Sequence, residues 1–504
     1  MFLKLNSGAV MGLDCRSVEV EIDITKGQTN FGIVGLADTS IKEAKDRIHS
    51  ALKNSGFSYP FNFRILVNLA PADVQKEGPA YDLPMAVGII ALSNGMAFEL
   101  GDALLVGELA LDGSVRHVTG ILPLVLFARS RGWKRVFVPA ADAVEASLVD
   151  GIRVYPVRTL AELIEHFLGT VCIAPFVRPA DWNERETTIY DMDMAHIKGQ
   201  EFAKRALEIA AAGSHNILMS GPPGSGKTLL ARTLPSILPR LLEDEALEVT
   251  KIYSVAGRLE GTVVKTRPFR SPHHTASGPA LVGGGRVPRP GEISLAHRGV
   301  LFLDEFPEFP RFVIESLRQP LEDGVITVSR SQGTVTFPAR FILVASQNPC
   351  PCGYASDPDH VCTCSPAHLI SYQKKISGPL LDRIDLHVEV PRITFDKLSS
   401  NTLAESSQRI RARVEAAREV QTARFKDAAI HTNSEMRNVE LRKFCVLDSA
   451  TGQLLKAAVN KMHLSARAYN RILKLSRTIA DLGKSEKIQL EHVAEALQFR
   501  AKEE

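Results

Sequence analysis

Gly221-Pro222-Pro223-Gly224-Ser225-Gly226-Lys227-Thr228 is a complete G-x-x-x-x-G-K-[ST] run. Glycines at this spacing let successive backbone N–H groups wrap a phosphate chain at the start of a helix, where the helix dipole also favours an anion. Lys227 then reaches the outer phosphates, and the Thr228 hydroxyl is a ligand for Mg²⁺. About 75 residues later, Val300-Leu-Phe-Leu303 leads into Asp304-Glu305. Four apolar residues predict a buried strand that delivers Asp304 to the Mg²⁺, with Glu305 placed to polarise an attacking water. Together the two motifs predict hydrolysis of ATP with Mg²⁺.

Three further strings bear on the same chemistry. Phe341–Asn348 is a second apolar strand ending in a polar residue, and Asn348 resembles the water-orienting sensor 1 of ring-forming AAA+ ATPases. In Leu380-Leu-Asp-Arg383-Ile-Asp, Arg383 resembles the arginine finger that one such subunit inserts into its neighbour's site, where a planar guanidinium stabilises charge on the γ-phosphate. The alternative is a surface pair with Asp382 or Asp385. Ser465–Leu482 is an amphipathic helix closed by Gly483, with Arg467, Arg471 and Lys474 on one face. By resemblance one early arginine of this helix is sensor 2, and Arg467 is preferred to Arg471.

Cys350, Cys352, Cys362 and Cys364 form a C-x-C-x₉-C-x-C cluster, while the other three cysteines stand alone. Four thiolates complete a closed structural Zn²⁺ shell, although the spacing departs from the usual C-x₂₋₄-C. Reduced free thiols in a loop are the alternative reading, and Pro349 and Pro351 restrain Cys350.

The elements that must carry these residues follow from pattern. Asn216–Ser220 reads as the strand before the phosphate loop, and Leu229–Leu238 as the helix after it. Before them, Ser17–Thr25 alternates as a half-buried strand does. Ser40 and Glu43 read as a capping box ahead of a helix closed by Gly56. Strands are expected at Arg64–Leu69 and Arg135–Pro139, and helices near Pro84–Leu92 and Leu160–Leu168. The expected organisation is an α/β unit over 1–170, a polar linker over 171–194, a parallel-sheet ATPase core over 195–391 and a helical lid over 392–504.

The chain has 504 residues, 45% hydrophobic and 23% charged. No apolar run approaches the ~20 residues that cross a bilayer, and the first residues lack a signal-peptide core, so a cytoplasmic protein without membrane contact is expected. The net charge of +3 is uneven: from Pro391 onward 21 Lys+Arg face 14 Asp+Glu, giving +7 there and −4 elsewhere. A basic segment suits nucleic acid and a solvated helical surface about equally.

The strings SPHHTASGPALVGGGRVPRPGEISLAHRGVLFLDE, NPCPCG and SGPLLDRIDLHVEV, with GLADTSIKEAKDRI and VNLAPAD nearer the start, resemble the ComM/YifB family of magnesium-chelatase-like AAA+ ATPases over essentially the whole chain. The resemblance implies a homo-oligomer, a hexameric helicase-like ring, acting on single-stranded or branched DNA. It also implies branch migration in homologous recombination or natural transformation, alongside recombination proteins. A chelatase-like motor remodelling a protein partner is the rival.

The N-terminal unit further resembles the Lon peptidase domain. There Ala80, in Lys76-Glu-Gly-Pro-Ala80, replaces the serine nucleophile, and Leu122, in Thr119-Gly-Ile-Leu122, replaces the lysine base. Acyl transfer therefore has no chemistry. Val325–Val328 and Thr334–Phe337 flank Ser-Arg-Ser-Gln-Gly and predict a β-hairpin; it resembles the pore hairpin of helicase relatives, which implies Arg330 as a phosphate contact. The Gly-rich basic stretch Arg270–Arg289 reads as a pore insert or as a structural loop. His273 and His274 within it lack ligand-spaced partners and are not assigned to a metal.

Overall fold

The computed structural model describes residues 1–179, 190–261, 263–285, 288–330, 333–355, 357, 360–393, 403–428, 430–462 and 464–500. Much of the expected polar linker lies outside them. The chain is α/β throughout its first 390 residues and helical beyond.

The N-terminal unit is built on a seven-stranded mixed sheet. Phe2–Met11 and Asp14–Lys26 form a long antiparallel ribbon at its centre, turning at Gly12-Leu13. Phe63–Ala70 pairs antiparallel with the second arm, and Asn30–Val34 closes that side in parallel. On the other side Ala103–Leu105, Arg135–Pro139 and Arg153–Val157 follow in parallel. Val18, Val20, Ile22 and Ile24 point inward at alternate positions, as the period of a half-buried strand demands. The partner arm Phe2–Met11 was not anticipated. Its sequence mixes Lys4, Asn6, Ser7 and Gly8 among apolar residues, and pairing with the clearer strand fixes it.

The helix Thr39–Asn54 is capped by Asp38, whose carboxylate accepts from Ile41 N at 2.8 Å. This replaces the expected Ser40–Glu43 capping box. Asp38 also accepts from Gly78 N at 3.1 Å, so the same carboxylate that starts the helix anchors a loop forty residues away. The helices Asp82–Ser93 and Leu160–Phe167 match expectation within two residues.

The ATPase sheet is parallel, in the order Phe269–Arg270, Val300–Leu303, Ile342–Gln347, Ile217–Ser220, Leu386–Glu389. Its interior strand Val300–Leu303 is apolar and buried on both faces because helices cover both. The helix after the phosphate loop is α-helical only over Lys227–Thr233 and continues as a 3₁₀ turn to Ile237. Pro235, which lacks an N–H, explains the change from the single helix expected to Leu238.

The C-terminal helices include Ser407–Arg424, Ser449–Lys461, Ala466–Leu482 and Leu490–Gln498. They share one hydrophobic core with helix Glu201–Gly213 and the sheet, through Val414, Ile472, Leu475, Val493 and Phe499. Gln421 Nε2 donates to Ala212 O at 3.0 Å across that junction. Among the described residues, no helix is long and apolar enough to cross a membrane.

Among the described residues, the N-terminal unit touches the ATPase part in at least two places. Ser254 Oγ, on helix Glu243–Ala256, donates to Glu145 Oε1 at 2.6 Å, and the same oxygen accepts from Leu122 N at 2.8 Å. Burial raises the Glu145 carboxyl above its ordinary pKa, against those two donors. At the second place, the Gly12-Leu13 turn meets the hairpin Val325–Pro338. A Cβ on Gly12, whose φ is +63°, would lie 2.2 Å from Val335 Cγ1, and Leu13 packs against the core that holds Ile326, Val328 and Phe337.

Candidate functional site

The phosphate loop follows Ile217–Ser220 at the C-terminal ends of the parallel strands, where open α/β sheets bind ligands. Two of its glycines are demanded by backbone conformation, Gly224 at φ +76° and Gly226 at +91°. A third is demanded by space: a Cβ on Gly221 would lie 2.1 Å from Val390 O. Lys227, almost fully buried, donates to Gly221 O at 2.7 Å, Pro222 O at 2.9 Å and Asn348 Oδ1 at 3.3 Å. Burial lowers its pKa, and the charge of Asp304 works in the opposite direction. Phosphate oxygens would satisfy that ammonium better than neutral carbonyls do.

Asp304 ends strand Val300–Leu303 and accepts from Thr228 Oγ1 at 2.8 Å. Ser346 Oγ, on the next strand, donates to the other Asp304 oxygen. Two hard oxygen donors held side by side fit Mg²⁺. Glu305 follows with φ +53°, a left-handed conformation unusual for a residue with a Cβ, and its side chain is half exposed. Its N–H donates to Asp304 Oδ1 at 3.1 Å. Asn348, at the end of strand Ile342–Gln347, meets Lys227 across the site.

His274, which sequence spacing assigns to no metal, sits in this site. Its Nδ1 lies 3.3 Å from Glu305 Oε2, its ring meets Phe309 edge-on at 6.3 Å, and His273 lies against it at 4.1 Å. Only its place after the short edge strand Phe269–Arg270 brings it there, and nothing in local spacing signals that. Arg270, which opens the same basic stretch, is held in a two-pronged pair with Glu292 at 2.5 and 2.8 Å. It is spent on structure, and residues 286–287 of the stretch lie outside the described residues.

Arg383 and Arg467 are elsewhere. Arg383 pairs with Glu322, not with Asp382 or Asp385, and donates to Pro379 O at 2.7 Å. Arg467 is exposed and lies 4.0 Å from the same Glu322 carboxylate. Arg471 is buried against Asp385 at 3.5 Å. These residues line a cavity of about 340 Å³ together with Asn216, Phe341 and Ile342, which stand at the N-terminal ends of the strands. Ile342 and Asn348 are the two ends of one strand, and six residues at about 3.3 Å each separate them by about 20 Å. No arginine side chain spans that distance. The structure thus brings Gly221–Thr228, Asp304, Glu305 and Asn348 together, and holds Arg383 and Arg467 together at the opposite edge.

Arg330 ends the first arm of the hairpin Val325–Arg330 and Gly333–Pro338, at the expected place. Its side chain lies outside the described residues. Cys350, Cys352, Cys362 and Cys364 converge, with all four sulfurs within 4.8 Å of one another. In the N-terminal unit, Ala80 and Leu122 belong to one apolar cluster with Val106, Val118 and Ile121. The positions that resemble a peptidase's nucleophile and base are packed core.

The family described as "Magnesium chelatase, subunit ChlI" matches residues 193–398, with "Subunit ChlI of Mg-chelatase" matching 20–142 and "Magnesium chelatase, subunit ChlI C-terminal" matching 404–500. The chain is 44% identical over 501 residues to "Competence protein ComM" of Haemophilus influenzae, covering 98% of this chain and 96% of that one. The chain belongs to the ComM/YifB family of magnesium-chelatase-like AAA+ ATPases. It is 42% identical over 504 residues to "Uncharacterized protein YifB" of Escherichia coli K12, covering 99% and 96% of the two chains. "Lon protease 2" of Bacillus subtilis is 25% identical over 183 residues, 32% of each chain. As a member of this AAA+ family the protein is an ATPase that uses ATP with Mg²⁺.

Proposed function

We propose that the protein is a homo-oligomeric, hexameric DNA motor in the cytoplasm that drives branch migration and strand integration during homologous recombination or natural transformation. In this reading residues 1–170 are the Lon-like unit, 171–194 a linker, 195–391 the ATPase core and 392–504 the lid. ATP lies between two copies. Gly221–Thr228 hold its phosphates. Thr228 and Asp304 hold Mg²⁺, which supplies charge neutralisation when bound. Glu305 accepts the proton of the attacking water and Asn348 orients that water. Arg383, with Arg467 beside it, comes from the adjacent subunit.

The observation that carries the reading is the placement of Arg383 and Arg467 on a cavity at the N-terminal ends of the strands, while their own phosphate loop lies at the C-terminal ends. A catalytic arginine there is useful only to a second copy. The DNA substrate is supported by the hairpin that ends at Arg330, by the +7 charge from Pro391 onward, and by the relative named as a competence protein. We also read the four-cysteine cluster as a structural Zn²⁺ site.

The test is a fluorescently labelled branched DNA with homologous arms, incubated with ATP and either wild type or Glu305→Gln. Branch movement by wild type alone supports the motor. No movement, with ATP turnover indifferent to DNA, overturns the DNA reading. It would direct attention to a protein client, as for the chelatase subunit whose family profile the chain matches.

A further inference from the structure

The cysteine cluster has a geometry and a location that together give it a task. Cys350 Sγ lies 3.3 Å from Cys352 Sγ and 3.8 Å from Cys362 Sγ, and the Cys352–Cys362 separation is 3.6 Å. Four sulfurs around one ion at Zn–S of about 2.3 Å form a tetrahedron with edges of about 3.8 Å. A disulfide instead requires about 2.05 Å. The three separations lie near that edge length and well beyond a disulfide bond. An all-sulfur set selects a soft ion, and four ligands leave no open position for catalysis.

The knuckle is fastened to the nucleotide site at two points. Cys350, fully buried, follows Asn348 by two residues, and Asn348 Oδ1 accepts from Lys227. Gly353, just after Cys352, has φ +88° and rests on the phosphate loop itself. A Cβ there would lie 2.7 Å from Pro223 Cδ and 2.9 Å from Pro223 Cγ. The far end of the knuckle is closed by Tyr354 stacked on His360 at 4.9 Å, with Arg392 over the Tyr354 ring and 3.1 Å from Asp357.

We propose that Cys350, Cys352, Cys362 and Cys364 bind one Zn²⁺ per chain, and that the closed site positions Asn348 and the Pro223 side of the phosphate loop for hydrolysis. Binding replaces thiol protons by the metal and involves no redox change. The cysteines are positioning residues that act through Asn348 and Pro223. This inference rests on the ATPase reading and adds a metal-dependent support to it.

The test uses the full-length protein purified under reducing conditions. Zinc content by mass spectrometry should approach one per chain, and a value near zero overturns the site. Cys362→Ser/Cys364→Ser should lose the metal and lower kcat for ATP by about 10- to 100-fold, the range for removing supports of a site. KM for ATP should stay within about 3-fold, because the phosphate contacts remain. Metal loss with unchanged kcat overturns the positioning role. If that variant does not fold, Gly353→Ala provides the second arm. It should keep its zinc and still lose kcat, because the new methyl pushes on Pro223. Unchanged kcat with zinc retained overturns the link to the phosphate loop. Failure of the underlying reading looks different: zinc at one per chain in a wild-type protein that turns over no ATP.

Discussion

Arg383→Ala offers the sharpest test of a site built from two copies. Removing the guanidinium leaves Glu322, half exposed, with Arg467 still 4.0 Å away. A pair whose carboxylate faces solvent contributes about 1 kcal/mol, so the variant should unfold near the wild-type midpoint. The catalytic loss should be far larger. An arginine finger contributes 10³ or more in kcat, which corresponds to at least about 4 kcal/mol of transition-state stabilisation. Arg383→Ala and Glu305→Gln should therefore each be nearly inactive alone. Mixed and reassembled at equal amounts, they should recover activity, because a site that keeps Glu305 can face a neighbour that keeps Arg383. Random assembly puts an intact half on each side at about one interface in four. If interfaces act independently, steady-state phosphate release from the mixture should approach about a quarter of the wild-type rate, since each intact interface restores its full share of the finger's effect. A mixture no more active than the sum of its parts would refute the reasoning. So would an Arg383→Ala variant with normal kcat.

Lys227→Ala should abolish binding of a fluorescent ATP analogue, because burial prepares that ammonium for phosphate. Glu305→Gln should bind the analogue and stall. His274→Ala should raise ATP turnover without DNA and shrink its stimulation by DNA, since the imidazole lies 3.3 Å from Glu305; an unchanged ratio would remove His274 from control of that carboxylate. Arg330→Ala should lower DNA stimulation of ATP turnover, and undiminished stimulation would take the residue out of the pore. Burial raises the Glu248 pKa, but the bonds from His297 and Arg298 outweigh it and hold the carboxyl at about 2, below its ordinary 4.5. A depressed carboxyl stabilises the fold above its unfolded pKa, and that contribution is lost as pH falls from about 4.5 toward 2. Acid unfolding monitored by circular dichroism should accordingly be less steep in that window for Glu248→Gln.

What could be read from sequence was what sits in consecutive residues. The phosphate loop, the strand into Asp304-Glu305 and the strand into Asn348 each announce their own structure. So does helix Ala466–Leu482, where Ser465 caps one end and Gly483 closes the other. The α/β character, the Lon-like first unit and the helical C-terminal region were legible for the same reason. What escaped was made by distant residues. Phe2–Met11 becomes a strand through its partner arm, and Asp38 prevails as a cap because it also anchors Gly78. The partner of Arg383 is Glu322, 61 residues earlier. His274 reaches Glu305 only because an edge strand of two residues lies beside the Asp304 strand.

The contact between the Gly12-Leu13 turn and Val335 has a mechanical meaning. The hairpin that carries Arg330 is two short arms, and two strands alone are marginally stable in water. Here its flank rests on the tip of a ribbon whose arms, Phe2–Met11 and Asp14–Lys26, are paired from Phe2–Asp23 to Met11–Asp14 and stiffened by neighbours on both sides. A thrust along the hairpin would pass into that ribbon and spread through a seven-stranded sheet, rather than bend the hairpin at its root. A unit with Ala80 and Leu122 packed in its core can serve as an abutment, and a rigid abutment needs packing, not a nucleophile.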